Sequence, residues 1–127
     1  MKEFLLVCVA GAAGTGVRFA LSGGAGMLFG TRFPYGTIAV NVMGSFLISA
    51  VSYAGTLNNS IDPTLRVVLT TGFLGGFTTY SAFNHETVVS LQQGLWGRAL
   101  ANLGVTVLGC LGAGFAGTAT ARRLLGV

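Results

Sequence analysis

Residues 70–86 read Thr70-Thr71-Gly72-Phe73-Leu74-Gly75-Gly76-Phe77-Thr78-Thr79-Tyr80-Ser81-Ala82-Phe83-Asn84-His85-Glu86. Residues 67–84 carry no charge, so this stretch reads as the body of a membrane span. Yet Gly75-Gly76 followed by Thr78-Thr79 is a poor helix centre. Glycine weakens the helix, and hydroxyls compete for its backbone groups. Unwound backbone at membrane depth persists only where it is buried in protein or lines a cavity. Carbonyls freed there could coordinate a hard cation such as sodium. Past the break, Phe77, Tyr80 and Phe83 follow at intervals of three, roughly on one face. Such a stripe is ordinarily packing, although the positive edge of an aromatic ring can also meet an anion. Thr79 and Ser81 add hydroxyl donors of the kind a dehydrated anion needs. His85-Glu86 then stand at the mouth of the span.

The rest of the chain agrees with a membrane setting. Of 127 residues, 52% are hydrophobic and 8% charged, and the mean hydropathy is +0.75. A soluble domain is about 25% charged. So few charges cannot coat a soluble surface, and there is neither a polar low-complexity tract nor a disulfide framework. The class is an all-α integral membrane protein. At ~20 residues per span, the length holds about four spans in a single domain over 1–127. We expect helices over about 3–22, 36–57, 64–93 and 97–122, the third broken near Gly75–Thr79. Asn58-Asn59-Ser60-Ile61-Asp62-Pro63 is the most polar loop, and Asp62-Pro63 supplies an N-cap and a first-turn proline for helix 3. Tyr35 and Trp96 are expected at the interface. The 21 glycines suit helices that approach closely.

No cleavable signal peptide is expected, because the apolar run after Lys2-Glu3 continues into a span. Leu5-Leu6-Val7-Cys8 hints at a lipoprotein box, but Val7 stands where a small residue is needed. Cys8 and Cys110 both fall in spans and read as small packing residues. Lys2, Arg66, Arg122 and Arg123 lie on one side and Arg32 and Arg98 on the other, a poor positive-inside bias. So little bias permits insertion both ways and pairing of two copies head to tail. It is equally compatible with one fixed orientation.

Three further features call for partners. On helix 2, Asn41, Ser45, Ser49 and Ser52 share a face, which either bonds a neighbouring helix or lines an aqueous vestibule. Arg18 lies about fifteen residues into helix 1, either as an interface anchor or as a fixed positive charge beside a cavity. Gly109, Ala113 and Gly117 on helix 4 form a small-residue stripe suited to close helix packing in a tight oligomer. No nucleophile, base and orienting group come together in the sequence, which argues against an enzyme.

These residues resemble a known family. Gly72–Phe83 resembles the helix 3 signature of the Fluc (CrcB) fluoride channels, Gly36-Thr37-Ile38-Ala39-Val40-Asn41-Val42-Met43-Gly44 their helix 2 motif, and Gly14-Thr15-Gly16-Val17-Arg18 their helix 1. The resemblance implies a passive, fluoride-selective channel of the prokaryotic plasma membrane that exports cytoplasmic fluoride and protects against its toxicity. It implies a dual-topology antiparallel homodimer with two pores. It implies a structural, untransported sodium held by the carbonyls of Gly75 and Thr78 from both copies. Tyr80 and Phe83 fall on the two pore phenylalanines, Asn41 on the pore asparagine, and Thr79 and Ser81 on the polar track. Arg18, Glu86 and Thr106 fall on vestibule or helix 4 positions. Tyr80 departs from the family by adding a hydroxyl, and Ala82 and Asn84 stand where small hydroxyl residues are common. The partners implied are fluoride, a second copy and lipid, with no nucleic acid. Neutral hydrogen fluoride crosses a bilayer and ionises in a less acidic cytoplasm, and a channel lets the trapped anion leave, helped by the negative-inside potential.

The competing reading is a small four-helix proton-coupled exporter of cations or drugs. Such a carrier needs a membrane-embedded carboxylate, and Glu86 is the only candidate. A non-transporting subunit that packs by its glycines is a third.

Overall fold

The structure, a computed structural model, describes residues 1–57 and 61–126. Helix α1 spans Lys2–Phe29 and α2 spans Tyr35–Leu57. A short α3, Pro63–Val67, continues as a π-helical segment, Val68–Leu74, and then as α4, Gly75–Phe77. After two extended residues come α5, Tyr80–Gln92, and α6, Trp96–Leu125. The Asn58-Asn59-Ser60 part of the expected polar loop lies outside the described residues.

Local sequence explains most of the ends. Asp62 caps α3 by accepting the Leu65 N–H at 3.0 Å, and Pro63 follows at the first helical position, as the sequence led us to expect. α6 stops at Gly126, which adopts the left-handed conformation with φ 69°. α1 departs from expectation. It runs on from residue 22 to Phe29, through Gly23-Gly24-Ala25-Gly26, and ends only at Gly30 with φ 80°. Each glycine costs a helix about 1 kcal/mol relative to alanine. In a bilayer, however, no water waits to take the freed backbone groups, so the helix persists.

Among the described residues, three helical stretches are long and apolar enough to cross a membrane: Lys2–Phe29, Tyr35–Thr56 and Trp96–Leu125. The third of the four expected spans is in two pieces. At the α-helical rise, residues 63–77 reach at most about 22 Å, less where the segment is π-helical, and residues 80–92 about 20 Å. Neither piece alone covers a ~30 Å hydrocarbon core.

Glycines set the packing. A Cβ at Gly14 would collide with the Phe73 carbonyl, one at Gly76 with the Gly11 carbonyl, and one at Gly72 with Ala10 and Val7. Backbone therefore meets backbone where α1 crosses the first half of the broken span. On the other side α6 lies along α2. Gly117 abuts the Phe46 backbone and Gly114 the Ser49 hydroxyl. These α6 glycines pack on a helix of their own chain, the close helix packing that the small-residue stripe led us to expect. The inner core is small: Val40, Leu74 and Phe77, with Phe73 stacked on Phe77 at 6.1 Å. Phe77 thus leaves the aromatic stripe read from the sequence, because the break turns the following residues away from it. Large apolar side chains such as Phe19, Leu108 and Phe115 point outward, as lipid or a second protein surface requires.

Candidate functional site

The site is built on the interruption of the third span. Thr78 and Thr79 adopt extended conformations, with φ/ψ of −85°/160° and −153°/110°. One side chain holds them there. Asn41 Oδ1 accepts the Thr79 N–H at 2.7 Å, and Asn41 Nδ2 donates to the Thr79 carbonyl at 2.9 Å. The amide pairs with the unwound backbone as a neighbouring strand would, and both bonds are buried. α2 comes this close because residue 44 is glycine, whose missing Cβ leaves room for the Thr78 methyl. Thr79 then caps α5 by accepting the Ala82 N–H at 3.2 Å, and its hydroxyl pairs with that of Ser81 at 3.3 Å.

This arrangement diverts two particular donors. In an unbroken helix the Thr79 N–H would bond the Gly75 carbonyl, and the Ala82 N–H the Thr78 carbonyl. Here the first goes to Asn41 and the second to the Thr79 hydroxyl. The carbonyls of Gly75 and Thr78 lose their helical donors, while that of Gly76 takes the Thr15 hydroxyl at 3.4 Å. Gly75 is exposed on the surface of the single chain and Thr78 half-buried. These two oxygens are the pair the sequence reading assigned to sodium. They fit a hard cation in ligand type, but one chain offers too few of them to enclose it.

Beside the break is a cavity of about 340 Å³ lined by Asn41, Ser45, Thr78, Tyr80, Phe83, Thr106 and Cys110, together with Gly44, Ile48 and Val107. No carboxylate is among these lining residues. The Tyr80 and Phe83 ring centroids are 5.7 Å apart, with planes inclined by 59°. Phe83 is buried and Tyr80 is 78% exposed. Two wall hydroxyls have already committed their protons: Ser45 donates to the Asn41 carbonyl at 2.7 Å and Thr78 to the Leu74 carbonyl at 3.0 Å. Asn41 keeps one Nδ2–H beyond its bond to Thr79. Tyr80 offers a phenol. Thr106 donates to Asn102 Oδ1 across a long 3.3 Å.

The cavity therefore gathers Asn41, Tyr80, Phe83, Thr78 and Thr106 from the residues singled out in the sequence. Thr79, Ser81, Gly75, Arg18 and Glu86 are not in its wall. Thr79 is buried as the cap of α5, and Ser81 is exposed. Arg18 is half-buried on α1, one turn before Ser22, where α1 packs on Gly36. Glu86 lines a separate cavity of about 190 Å³ with Ser22, Thr31, Tyr35 and Thr37 at the α1–α2 corner. Thr37 donates to its Oε1 at 2.6 Å, while Oε2 and the Arg98 Nε are buried without a hydrogen-bond partner. Cys110 is a free, half-buried thiol in the cavity wall.

Sequence reasoning missed Thr37, Thr87 and Asn102. Thr37 stands four residues before Asn41, so extending the polar face of α2 by one turn would have found it. Asn102 and Thr106 carry the same four-residue signal on α6. Thr87 had no signal, since its role depends on which helix lies opposite.

Comparison with known proteins places the chain. The family model described as "CrcB-like protein, Camphor Resistance (CrcB)" matches residues 5–118. Three similar proteins are each named fluoride-specific ion channel FluC. The one from Anaeromyxobacter dehalogenans is 48% identical over 126 residues, covering 99% of this chain and 100% of the relative. That from Sorangium cellulosum is 46% identical over 125 residues, 98% of each. That from Geobacter sulfurreducens is 43% identical over 124 residues, 98% of this chain and 100% of the relative.

Proposed function

The chain belongs to the CrcB-like family of multi-pass membrane proteins, and from that premise we propose that it is a fluoride-selective channel. As an ion channel it is not an enzyme. The observation that carries the reading is the wall of the 340 Å³ cavity beside the break. It offers an amide N–H, a phenol, a loosely held hydroxyl and two tilted aromatic rings, and no carboxylate. Fluoride is small and strongly hydrated, so it enters only where donors replace its water. Hydroxyl and amide donors do this directly, and ring edges add a positive rim. With no acidic side chain in the wall there is no fixed charge to repel an anion. Passage needs no coupled step, so flux follows the electrochemical gradient, and a negative interior drives the anion out.

Two finer points belong to the same reading. The chain pairs with an inverted second copy, since its charge bias is weak and Gly75 at the break is exposed on the single chain. The carbonyls of Gly75 and Thr78, stripped of their helical donors, then meet the same pair from the other copy and hold a structural sodium. That ion would supply a central positive charge tying the two broken spans together. Glu86, which a proton-coupled exporter would need, is held by Thr37 in another cavity, so that alternative has no carboxylate at the site.

Liposomes containing only the purified protein test the proposal. With a potassium ionophore clamping the voltage, a fluoride electrode should register rapid fluoride release, with little chloride release beside it. Equal chloride flux, or none of either, refutes the assignment. Replacing sodium with a bulky organic cation should lower the flux, and an unchanged rate removes sodium from the account.

A further inference from the structure

Asn102 on α6 is 1% exposed, and it lies behind the cavity wall instead of in it. It touches two groups that bear on that wall. Its Nδ2 donates to Thr87 Oγ1 at 3.0 Å, and its Oδ1 accepts from Thr106 Oγ1 at 3.3 Å. Thr87 in turn donates to the carbonyl of Phe83 at 2.8 Å.

The chain of bonds has a fixed polarity. A threonine hydroxyl has one proton. Thr87 gives its proton to the Phe83 carbonyl, so toward Asn102 it can only accept. An inverted amide would set Oδ1 against that oxygen, acceptor against acceptor. The amide is therefore held with its oxygen toward Thr106. The proton of Thr106 is drawn to that oxygen and away from any occupant of the cavity that Thr106 lines.

That last bond is the weak one. An O–H···O bond is usually near 2.7–2.8 Å, and this one is 3.3 Å. An anion in the cavity competes with Asn102 for the same proton. Turning the hydroxyl leaves Oδ1 buried with one partner fewer, so the exchange is favourable only for an anion that accepts a short, charge-assisted hydrogen bond. Fluoride accepts such a bond strongly. Chloride, larger and more diffuse, accepts a weaker one.

We propose that Asn102 is a positioning residue that sets anion selectivity by withholding the Thr106 hydroxyl proton from all but strong acceptors. The inference rests on the fluoride-channel reading. A purely structural role, in which the amide only ties α5 to α6, would alter stability and the flux of both anions together, leaving their ratio in place.

The test measures fluoride and chloride efflux from liposomes for the intact protein and for Asn102→Leu, Thr106→Val, the double variant and Thr87→Val. Asn102→Leu frees the Thr106 proton, so the fluoride-to-chloride rate ratio should fall about tenfold, mainly through faster chloride. In the Thr106→Val background the same change should leave the ratio where it is. An unchanged ratio in Asn102→Leu, a parallel loss of both fluxes, or independent effects in the double variant overturns the proposal. Should Asn102→Leu fail to fold, Thr87→Val decides, because it keeps the amide and removes the group that orients it. A lowered ratio there supports the proposal and an unchanged ratio overturns it. Intact protein that passes no fluoride overturns the channel reading and this inference with it. A selective intact protein with insensitive variants overturns this inference alone.

Discussion

Asn41 is the residue on which most of the site depends. It holds the break by bonding both the N–H and the carbonyl of Thr79. Asn41→Leu keeps the volume and removes both bonds, leaving two buried backbone groups without partners. We expect a loss of roughly 2–6 kcal/mol, taking about 1–3 kcal/mol for each orphaned group. Unfolding of the detergent-solubilised protein measures it, and a loss below ~1 kcal/mol would show that the break stands without the amide. Asn41→Asp should behave differently. One oxygen still accepts the Thr79 N–H, so that bond survives, but the other now faces the Thr79 carbonyl with no proton to donate, and a carboxylate lines the cavity. Fluoride flux should drop by at least ~100-fold, since an anion within about 4 Å of a like charge in a dry site is opposed by several kcal/mol. Flux comparable to the unaltered protein would remove Asn41 from the ion's path.

At the scale of elements, the two halves of the broken span have different neighbours. The first half lies against α1 with glycine backbone in direct contact, and α5 bonds to α6 through Thr87 and Asn102. The junction between them is two extended residues and one amide. Glycines of equal composition should therefore respond unequally. Gly14→Ala places a methyl into the Phe73 carbonyl, so α1 must move away, at a cost of about 1–3 kcal/mol. Gly16→Ala meets open space and should be neutral or stabilising by up to ~1 kcal/mol. Melting temperatures of the two variants compare them directly. Equal effects would mean that the α1 crossing is looser than the contact implies.

At the scale of the whole molecule, a net charge of +4 is spread over both ends of the spans with little bias. If two inverted copies form the channel, function needs both orientations. Two lysines appended after Val127 join the side that already carries Lys2, Arg66, Arg122 and Arg123, and should drive the chain toward a single orientation. Fluoride efflux from cells should then fall, and co-expression with a copy carrying Gln92→Lys, Gln93→Lys, Arg122→Gln and Arg123→Gln, which is biased the opposite way, should restore it. Undiminished efflux from the single variant would argue for a parallel assembly.

The membrane class, the helical fold, the interrupted third span and the family are all legible in the order of residues. Each follows from local quantities: hydropathy over a span, the glycine and threonine pairs at residues 75–79, and a linear motif around them. The sequence also named Asn41, Tyr80 and Phe83, because their spacing puts them on helix faces. The packing of the helices adds that Asn41 is spent largely on the backbone of Thr79, that Phe77 belongs to the core, and that Glu86 faces a different cavity. That packing also brings Thr87 and Asn102 together behind the wall. Periodicity states which face of a helix a residue occupies. Which helix comes to lie against that face, and which hydrogen-bond donor is diverted there, depends on contacts between residues far apart in the chain.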